Sequence, residues 1–419
     1  MKLRTRDIIE QIRHGNIPDG YKKTKAGILP VDWNVHMLRD CLQRIERPVE
    51  VEPNELYTQI GIRSHGKGLF YKEPVTGEAL GNKSVFWIEP YCFIVNIVFA
   101  WEQAIGKTTQ SEIGMIGSHR FPMYRPVNDR VDINYLIYYF LTKRGTNILE
   151  AASPGGAGRN KTLGQNRFLK SKIILPSIEE QRKIAAILMT QDKVIELKEK
   201  HLTEKQQQKK YLMQQLLTGK KRLHGFCGEW KKTKLKNILY ERKTYSTKGL
   251  EYPHVTLSTQ GIFPKNERYD RDHLVRDEDK EYKITHKGDI CYNPANLKFG
   301  VICENTFGDA IFSPIYVTFE VRKNVCREYL ANYVMRWDFI NAVRKYEEGT
   351  VYERMAVKPE DFLKFEISLP QIEEQIAIAE VLSAADQEMD LLRQDIEQEK
   401  QKKKALMQLL LTGIVRVKV

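Results

Sequence analysis

LPSIEEQRKIAAILMTQDKVIELKEKHLTEKQQQKKYLMQQLLTG, residues 175–219, is matched without a gap by LPQIEEQIAIAEVLSAADQEMDLLRQDIEQEKQKKKALMQLLLTG, residues 369–413. The two stretches are identical at 21 of 45 positions. Each begins with Leu-Pro, which is tolerated at the start of a helix, and ends with Gly, which suits the left-handed residue after one. We therefore predict one long helix in each copy, about 57 Å long for residues 180–217.

Both copies carry a stripe of apolar residues whose spacing alternates between three and four, as the seam of a coiled coil requires. The seam consists of Ile184, Leu188, Ile195, Leu202, Leu212 and Leu216 in the first copy, and of Ile378, Leu382, Met389, Leu392, Ile396, Leu406 and Leu410 in the second. Polar residues such as Gln191 and Lys198 interrupt it. Because the phase is the same in both copies, we predict that the two helices pack on each other; an ordinary amphipathic helix pair is the alternative. We expect Lys209, Lys210 and 402–404 to be exposed helix charges.

The remaining segments each begin with a tryptophan five residues before a leucine, Trp33 and Trp230. Beyond these, residues 34–167 and 231–361 do not align convincingly with each other. Both contain short β-branched and aromatic runs bounded by Gly, Pro and Asn, which are typical of strands and turns. Helical stretches follow at 132–149 and 327–346.

These patterns predict a mixed α/β (α+β) fold: two globular domains separated by two long helices that pack on each other, with a pseudo-twofold internal repeat. The predicted boundaries are 1–174 for the first domain, 175–222 for the central helix, 223–368 for the second domain and 369–419 for the C-terminal helix. Similar helices suggest two copies of one kind of contact. Dissimilar domains suggest two different ligands, or two different parts of one ligand.

The charge of the chain favours a polyanionic ligand. Lys and Arg outnumber Asp and Glu by 67 to 54, a formal net charge of +13. Clustered cationic side chains release counterions from a phosphate backbone, which favours binding to nucleic acid. A basic chain with two unlike domains suits an asymmetric, two-part DNA sequence.

At this point the chain resembles a known family. Three of its features are similar to those of specificity subunits of type I restriction–modification systems. They are the pattern Leu-Pro-x-Ile-x-Glu-Gln-x-x-Ile-Ala-x-x-Leu at 175–188 and 369–382, the Leu-Leu-Thr-Gly endings at 216–219 and 410–413, and the two tryptophan motifs. The resemblance spans essentially the whole chain. It implies a non-catalytic subunit in which each domain is a target-recognition domain that reads one half of a bipartite DNA site. It also implies that the two long helices form an antiparallel coiled coil, which acts as a ruler between the halves.

The same resemblance implies the partners. They are double-stranded DNA, two modification subunits that bind S-adenosylmethionine and methylate adenine, and restriction subunits that use ATP and Mg to translocate and cleave DNA. It implies no cofactor and no metal bound by this chain itself.

The sequence shows no motif for catalysis of its own. Gly106-Lys107-Thr108 lacks the upstream glycine of a P-loop, and Tyr292-Asn293-Pro294-Ala295 only partly matches the motif of an adenine methyltransferase. The six cysteines form no C-x-x-C pair, and the histidines have no metal-binding spacing. There are two alternatives to a specificity subunit. One is a self-sufficient methyltransferase or nuclease, and the other is a coiled-coil scaffold that binds only proteins.

We also expect a cytoplasmic protein without a membrane partner. The N-terminal residues are polar and charged, unlike a signal peptide. The longest apolar run, residues 91–101, is shorter than the ~20 residues that span a bilayer.

Loops that combine basic, amide and hydroxyl side chains are the candidates for contact with DNA, because such groups bind phosphates and read base edges. In the first domain they are Arg63, Ser64, His65 and Lys67 after one strand-like run, and Arg159, Asn160 and Lys161 in a basic, Gly-rich segment. In the second domain they are Ser258, Thr259 and Gln260, then Asn293, Asn296 and Lys298, and finally Tyr352 and Arg354.

Overall fold

The computed structural model describes residues 5–24, 27–156, 161–247, 251–265, 281–347 and 355–418. They form two compact units, residues 1–199 with 395–419, and residues 200–394. The four-part division made from the sequence stays a prediction, because compactness does not test which segments act as readers.

The first unit is built mainly from short antiparallel strands. They are β1 (Tyr21–Thr24), β2 (Gly27–Pro30), β3 (Asn34–Met37), β4 (Leu42–Ile45), β5 (Leu56–Tyr57), β6 (Ile60–Ile62), β7 (Leu69–Tyr71), β8 (Val75–Thr76), β9 (Val85–Trp87), β10 (Phe93–Val95), β11 (Ile105–Lys107), β12 (Ile116–Ser118), β13 (Met123–Pro126) and β14 (Lys172–Leu175). The helices that begin in this unit are α1 (Thr5–Arg13), α2 (Gly77–Leu80), α3 (Ile133–Phe140), α4 (Lys143–Ala152), α5 (Gln165–Leu169) and the long α6 (Ile178–Leu216). The main sheet has the order β4-β13-β10-β11, and β3 pairs separately with β14.

The second unit repeats this plan. Its strands are β15 (Lys231–Lys234), β16 (Leu239–Glu241), β17 (Tyr245–Thr247), β18 (Val255–Ser258), β19 (Gly261–Pro264), β20 (Glu281–Thr285), β21 (Ile290–Tyr292), β22 (Ile302–Glu304), β23 (Ala310–Phe312), β24 (Val317–Val321) and β25 (Glu366–Leu369). Its helices are α7 (Arg327–Val334), α8 (Trp337–Val343), α9 (Pro359–Lys364) and the long α10 (Ile372–Leu410). The main sheet has the order β16-β24-β21-β22, and β15 pairs with β25.

The two globular regions therefore share one scaffold, although their sequences do not align convincingly. Strand order in the main sheets is the same, three helices follow each sheet, and one outer strand pair precedes each long helix. The regions differ in their additional strands. The first unit adds the pairs β5-β8, β6-β7 and β9-β12, whereas the second adds the sheet β17-β20-β23 and the hairpin β18-β19.

A glutamine from each repeated motif joins the long helix to this scaffold. Gln181 accepts a hydrogen bond from the backbone N–H of Asp132 (3.0 Å) and donates to Pro176 O (3.0 Å). In the second unit Gln375 does the same with Cys326 N (2.9 Å) and Pro370 O (2.9 Å). Both glutamines are buried. They satisfy backbone groups at the starts of α3 and α7 that burial would otherwise leave unpaired.

Each predicted helix after the sheet is broken into two. In the first unit α3 ends and α4 begins around Thr142, whose extended backbone and side-chain oxygen cap α4 by accepting from Gly145 N (3.2 Å). A Cβ at Gly145 would lie 2.3 Å from Tyr139 O, so the tight turn requires glycine there. The corresponding break in the second unit falls at Arg336, which also has an extended backbone.

The long helices α6 and α10 pack against each other within each unit, and they run antiparallel. In the first unit, Asp192 pairs with Lys403 (2.5 Å), and Lys198 pairs with Asp395 (2.8 Å) six residues further along α6. As residue numbers rise along α6, the numbers of their partners on α10 fall. In the second unit, Lys209 pairs with Asp386 at 2.6 Å. The predictions of a mixed α/β fold and of two packed long helices are confirmed.

Ion pairs explain why polar residues interrupt the seam. Gln191 donates to Glu399 (2.6 Å), which also binds Lys198 (3.0 Å), and Lys205 pairs with Glu388 (2.6 Å). The expectation that Lys209 and Lys403 are exposed helix charges is wrong, because both are largely covered and paired with the opposite helix. All thirteen apolar seam residues named above lie buried or half-buried.

Each unit has its own apolar core, centred on aromatic rings between sheet and helices. In the first, Phe93, Tyr124, Phe140 and Phe168 pack within 6.4 Å of a neighbouring ring. In the second, Tyr292, Phe319, Phe339 and Phe362 do so within 5.9 Å. Burial of this size holds the loops of each domain on a rigid base.

Candidate nucleic-acid interface

The turn of the β6-β7 hairpin carries the first set of predicted DNA contacts. Arg63, His65 and Lys67 are exposed there. His65 has a left-handed backbone (φ 61°), and its N–H donates to Glu102 O at 2.7 Å. Ser64 is half-buried and donates to the Glu102 carboxylate (2.9 Å). Ser64 therefore fixes the turn. Arg63 also holds the hairpin, since its guanidinium donates to Leu69 O (3.2 Å) and lies 4.9 Å from the centre of the Phe70 ring. The side chains of His65 and Lys67 are exposed to solvent.

A second loop lies against this turn and brings in a residue of the basic segment. Gly66 N donates to Gln103 O (2.9 Å), in the loop between β10 and β11. The ammonium group of Lys161 lies 5.1 Å from the centre of the Trp101 ring in the same loop. Leu163 N donates to Ile97 O (2.8 Å) and anchors the segment. Residues distant in sequence thus form one continuous surface.

In the second unit, the turn of the β18-β19 hairpin carries the next set of predicted DNA contacts. Ser258 accepts from Gln260 N (3.1 Å) and donates to Gly261 O (3.2 Å), so its hydroxyl is used within the turn. The side chains of Thr259 and Gln260 are exposed. An exposed amide can both donate to and accept from a base edge, as adenine recognition requires.

The loop between β21 and β22 holds the third predicted set, and the structure divides its roles. Asn293 is 6% exposed, and its Oδ1 accepts from Ala295 N (3.1 Å) and Asn296 N (3.2 Å). The expectation that Asn293 contacts DNA is therefore replaced by a capping role for the short 3-10 helix Pro294–Phe299. Asn296 is half-buried, and Lys298 is exposed with its ammonium 5.2 Å from the Phe299 ring centre.

Four predicted residues, Arg159, Asn160, Tyr352 and Arg354, lie outside the described residues. The segments that flank them are anchored alike. Val357 N donates to Pro294 O (3.3 Å), just as Leu163 N donates to Ile97 O in the first unit.

Each hairpin turn borders a cleft against the long helices. The cleft in the first unit has a volume of about 480 Å³, and its lining includes Gly66, Gly68, Lys193 and Lys403. The cleft in the second unit is larger, about 970 Å³, and its lining includes Gln260, Gly261, Lys209, Lys210 and Trp337. Hairpin turn and helix lysines face one cleft in both units.

Sequence reasoning missed three aromatic residues of these surfaces: Trp101, Phe299 and Trp337. Phe299 and Trp337 are 59% and 53% exposed, unusual for side chains of this size. The sequence of the second domain did contain a signal for an aromatic DNA contact, because Lys298 directly precedes Phe299 in a loop after a strand-like run.

Two kinds of feature are absent from the described part of the chain. No helix there is long and apolar enough to cross a bilayer. No cluster of three or more His, Cys, Asp or Glu side chains within the same residues is arranged to hold a metal ion.

Solved structures share this fold. The chain superposes on the HsdS subunit from Thermoanaerobacter tengcongensis with a TM-score of 0.51 and 17% identity, over 92% of this chain and 98% of that one. A chain from a structural study of assembly and conformational transition in a type I restriction–modification system gives 0.59 and 17%, over 92% and 99%. The S subunit of the type I system from M. genitalium gives 0.51 and 11%, over 92% and 97%. The architecture is that of type I specificity subunits.

Sequence relatives agree with the fold. Residues 89–207 match the family described as type I restriction modification DNA specificity domain. The chain is 25% identical to the putative type I restriction enzyme MjaX specificity subunit of Methanocaldococcus jannaschii, over 96% of this chain and 97% of the relative. The MjaVIII specificity subunit of the same organism is 23% identical over the same shares.

In sequence and in fold the chain is similar to the specificity subunits of type I restriction–modification systems, and residues 89–207 match the DNA specificity domain of that family. Subunits of this class contribute DNA recognition and not catalysis. Subunits of this class work in complex with DNA and with the other restriction–modification subunits.

Proposed function

We propose that this subunit reads a bipartite, asymmetric DNA site, one half through each unit, and thereby directs adenine methylation and restriction by its partners. The observation that carries this proposal is the shared scaffold with unlike additional strands. Each unit adds its own reading hairpin to the common scaffold, β6-β7 in the first and β18-β19 in the second. Different residues in those hairpins, Arg63 to Lys67 in one and Ser258 to Gln260 in the other, suit different sequences.

The long helices connect the two readers, and we propose that their length sets the spacing between the half-sites. Each helix has 39 residues. At 1.5 Å per residue this corresponds to about 58 Å of helix. Insertion of a whole number of helical turns into both helices is expected to lengthen the non-specific spacer and leave both half-sites unchanged.

The catalytic chemistry belongs, in this proposal, to the partners. Two modification subunits contribute S-adenosylmethionine, and restriction subunits use ATP and Mg. The duplicated helix motif at 175–219 and 369–413 supports two equivalent docking sites for modification subunits. We expect the complex to act in the cytoplasm, where its DNA substrate is found.

The test is methylome sequencing of a methylation-free host that expresses this chain with its cognate modification subunit, compared with the modification subunit alone. We expect N6-methyladenine at one bipartite motif only when the chain is present. Replacement of residues 34–167 by those of another such subunit is expected to change one half-site only. If an assembled, S-adenosylmethionine-competent complex adds no methylation, or if the exchange changes both halves or neither, the proposal fails.

A further inference from the structure

A pair of exposed aromatic rings stands out in the second unit. Phe299 and Trp337 are each more than half exposed. A Cβ placed on Gly300, the residue after Phe299, would lie 3.6 Å from the Trp337 ring, so Trp337 lies against the loop that carries Phe299. Large rings exposed together cost free energy in water unless a ligand covers them.

Hydrogen bonds hold the loop that presents Phe299. The buried Asn293 caps its 3-10 helix, and Gly300 ends that helix in a left-handed backbone with φ 80°. The N–H of Val357 donates a hydrogen bond to Pro294 O in this loop, at 3.3 Å. A ring that is already held in place loses little conformational entropy when it binds.

The electrostatics around the pair favour a polyanion. Lys298 sits beside the Phe299 ring, and Lys210 and Lys220 line the cleft that Trp337 enters. The three acidic residues of that cleft each have a cationic partner: Asp386 pairs with Lys209 at 2.6 Å, Asp338 with Arg336, and Glu304 with Arg327 at 2.9 Å. The exposed Gln260 of the reading hairpin lines the same cleft.

The first unit supplies an independent observation. Its β10-β11 loop, which corresponds to the β21-β22 loop in the shared scaffold, also presents an aromatic ring beside a lysine, Trp101 with Lys161. The residues that form the pair come from different sequence positions in the two units. Recurrence of the combination at one place of the scaffold indicates a role in binding DNA and not an accident of one loop.

We propose that Phe299, supported by Trp337, inserts between two bases of the second half-site, while Lys298 contacts an adjacent phosphate. Apolar side chains that enter a base step unstack it and bend the duplex, and flexible pyrimidine–purine steps yield most easily. Phe299 thereby favours DNA sequences that deform easily at this base step, although it makes no hydrogen bond to a base edge there. This inference rests on the proposed function, since it presupposes that the second unit reads DNA.

The experiment uses the assembled complex of this chain with its modification subunits and a duplex that carries the methylation motif found above. 2-Aminopurine replaces one adenine at a time in the second half-site, and its fluorescence reports unstacking. With the wild type we expect a severalfold rise at one step. The Phe299→Ala variant is expected to lose that rise and to bind the duplex about tenfold or more weakly. Phe299→Leu should retain part of both effects.

Tyr240→Ala is the matched control, since Tyr240 is 61% exposed in the same unit but lies on the edge strand β16. It should change neither affinity nor fluorescence. Retention of wild-type affinity and fluorescence by Phe299→Ala overturns the inference, as does a wild-type complex that binds without any rise. Loss of modification subunits from the Phe299→Ala complex in a pull-down would show that the rings contact protein and not DNA. A bipartite motif mapped with the wild type upholds the proposed function in all these cases, so the two failures are distinguishable.

Discussion

Arg416 in the C-terminal tail donates two hydrogen bonds to the carboxylate of Glu180 at the start of α6, at 2.7 and 2.8 Å. The Glu180 side chain is only 1% exposed. The same contact recurs in the second unit, where Arg222 binds Glu374. Each pair lies at the same positions of the sequence repeat. An arginine that follows one long helix therefore binds a buried glutamate at the start of the other long helix in both units.

Loss of Arg416 should destabilise the first unit. The Arg416→Met variant leaves a buried carboxylate without its cation, and since the arginine is itself partly exposed we expect a loss of about 2 kcal/mol in the free energy of unfolding. Urea denaturation measures it. The double variant Arg416→Met, Glu180→Gln should recover part of the loss. A single variant as stable as the wild type would show that the ion pair contributes nothing.

Glu399 should make the helix pair sensitive to acid. The Gln191 amide, followed by the ammonium groups of Lys198 and Lys402, lowers the pKa of the Glu399 carboxyl from 4.5 to about 2. A carboxylate with a lowered pKa in the folded state stabilises the fold above its unfolded pKa, and this contribution is lost as the pH falls towards the folded pKa. The relevant window is therefore about pH 4.5 to 2.

We expect Glu399→Gln to be less stable than the wild type at pH 6, and the difference to shrink as the pH falls from 4.5 to 2. Urea midpoints at several pH values measure this difference. Glu397→Gln, an exposed change on the same helix, serves as the control. A wild-type advantage that stays constant down to pH 2 contradicts the assignment.

The glycines after the long helices should tolerate alanine unequally. Gly219 and Gly413 both have left-handed backbones, with φ 71° and 74°. Alanine costs about 1–2 kcal/mol in that conformation. At Gly413 the added Cβ would also lie 2.6 Å from Pro30 Cδ, whereas at Gly219 its nearest neighbour is Trp230 at 3.3 Å. Gly413→Ala should therefore lower the free energy of unfolding more than Gly219→Ala, and equal losses would rule out the clash.

Two buried tyrosines should be replaceable by phenylalanine without loss. Within the described residues, the hydroxyls of Tyr135 and Tyr329 have no hydrogen-bond partner. Removing an unpaired buried hydroxyl is expected to leave stability unchanged or to raise it by up to about 1 kcal/mol. Tyr292→Phe is the matched control, because the Tyr292 hydroxyl donates to Val357 O at 2.9 Å and its removal should cost about 1 kcal/mol. Thermal melts of the three variants measure these changes in stability. If Tyr135→Phe lost as much stability as Tyr292→Phe, the Tyr135 hydroxyl would have a hydrogen-bond partner after all.

The reading hairpins should act on separate half-sites. Arg63→Ala is expected to relax the first half of the methylation motif, and Gln260→Ala the second, each by about 1–3 kcal/mol of discrimination. Methylome sequencing of each variant measures the change, and each variant controls for the other. Relaxation of both halves by one variant would contradict independent readers.

The long helices could be predicted closely from the sequence, because their signals are local. Apolar periodicity, the Leu-Pro starts and the glycine ends all lie within the segment that folds, and the structure places α6 and α10 at positions that correspond residue by residue in the repeat. The hairpin turns were also found, since Gly and polar residues mark turns between strand-like runs. The common scaffold of the two domains was not, because strand pairing depends on contacts between distant residues whose identities differ.

The sequence by itself thus determined the two long helices, their repeat and the basic character of the chain. Only the tertiary structure decided that Asn293 caps a helix, that Lys209 and Lys403 pair across the helices, and that Lys161 lies beside Trp101. The physical reason is the range of the interactions. Helix formation is governed by neighbours three and four residues apart, whereas burial, ion pairing and surface proximity are set by whichever distant segments the folded chain brings together.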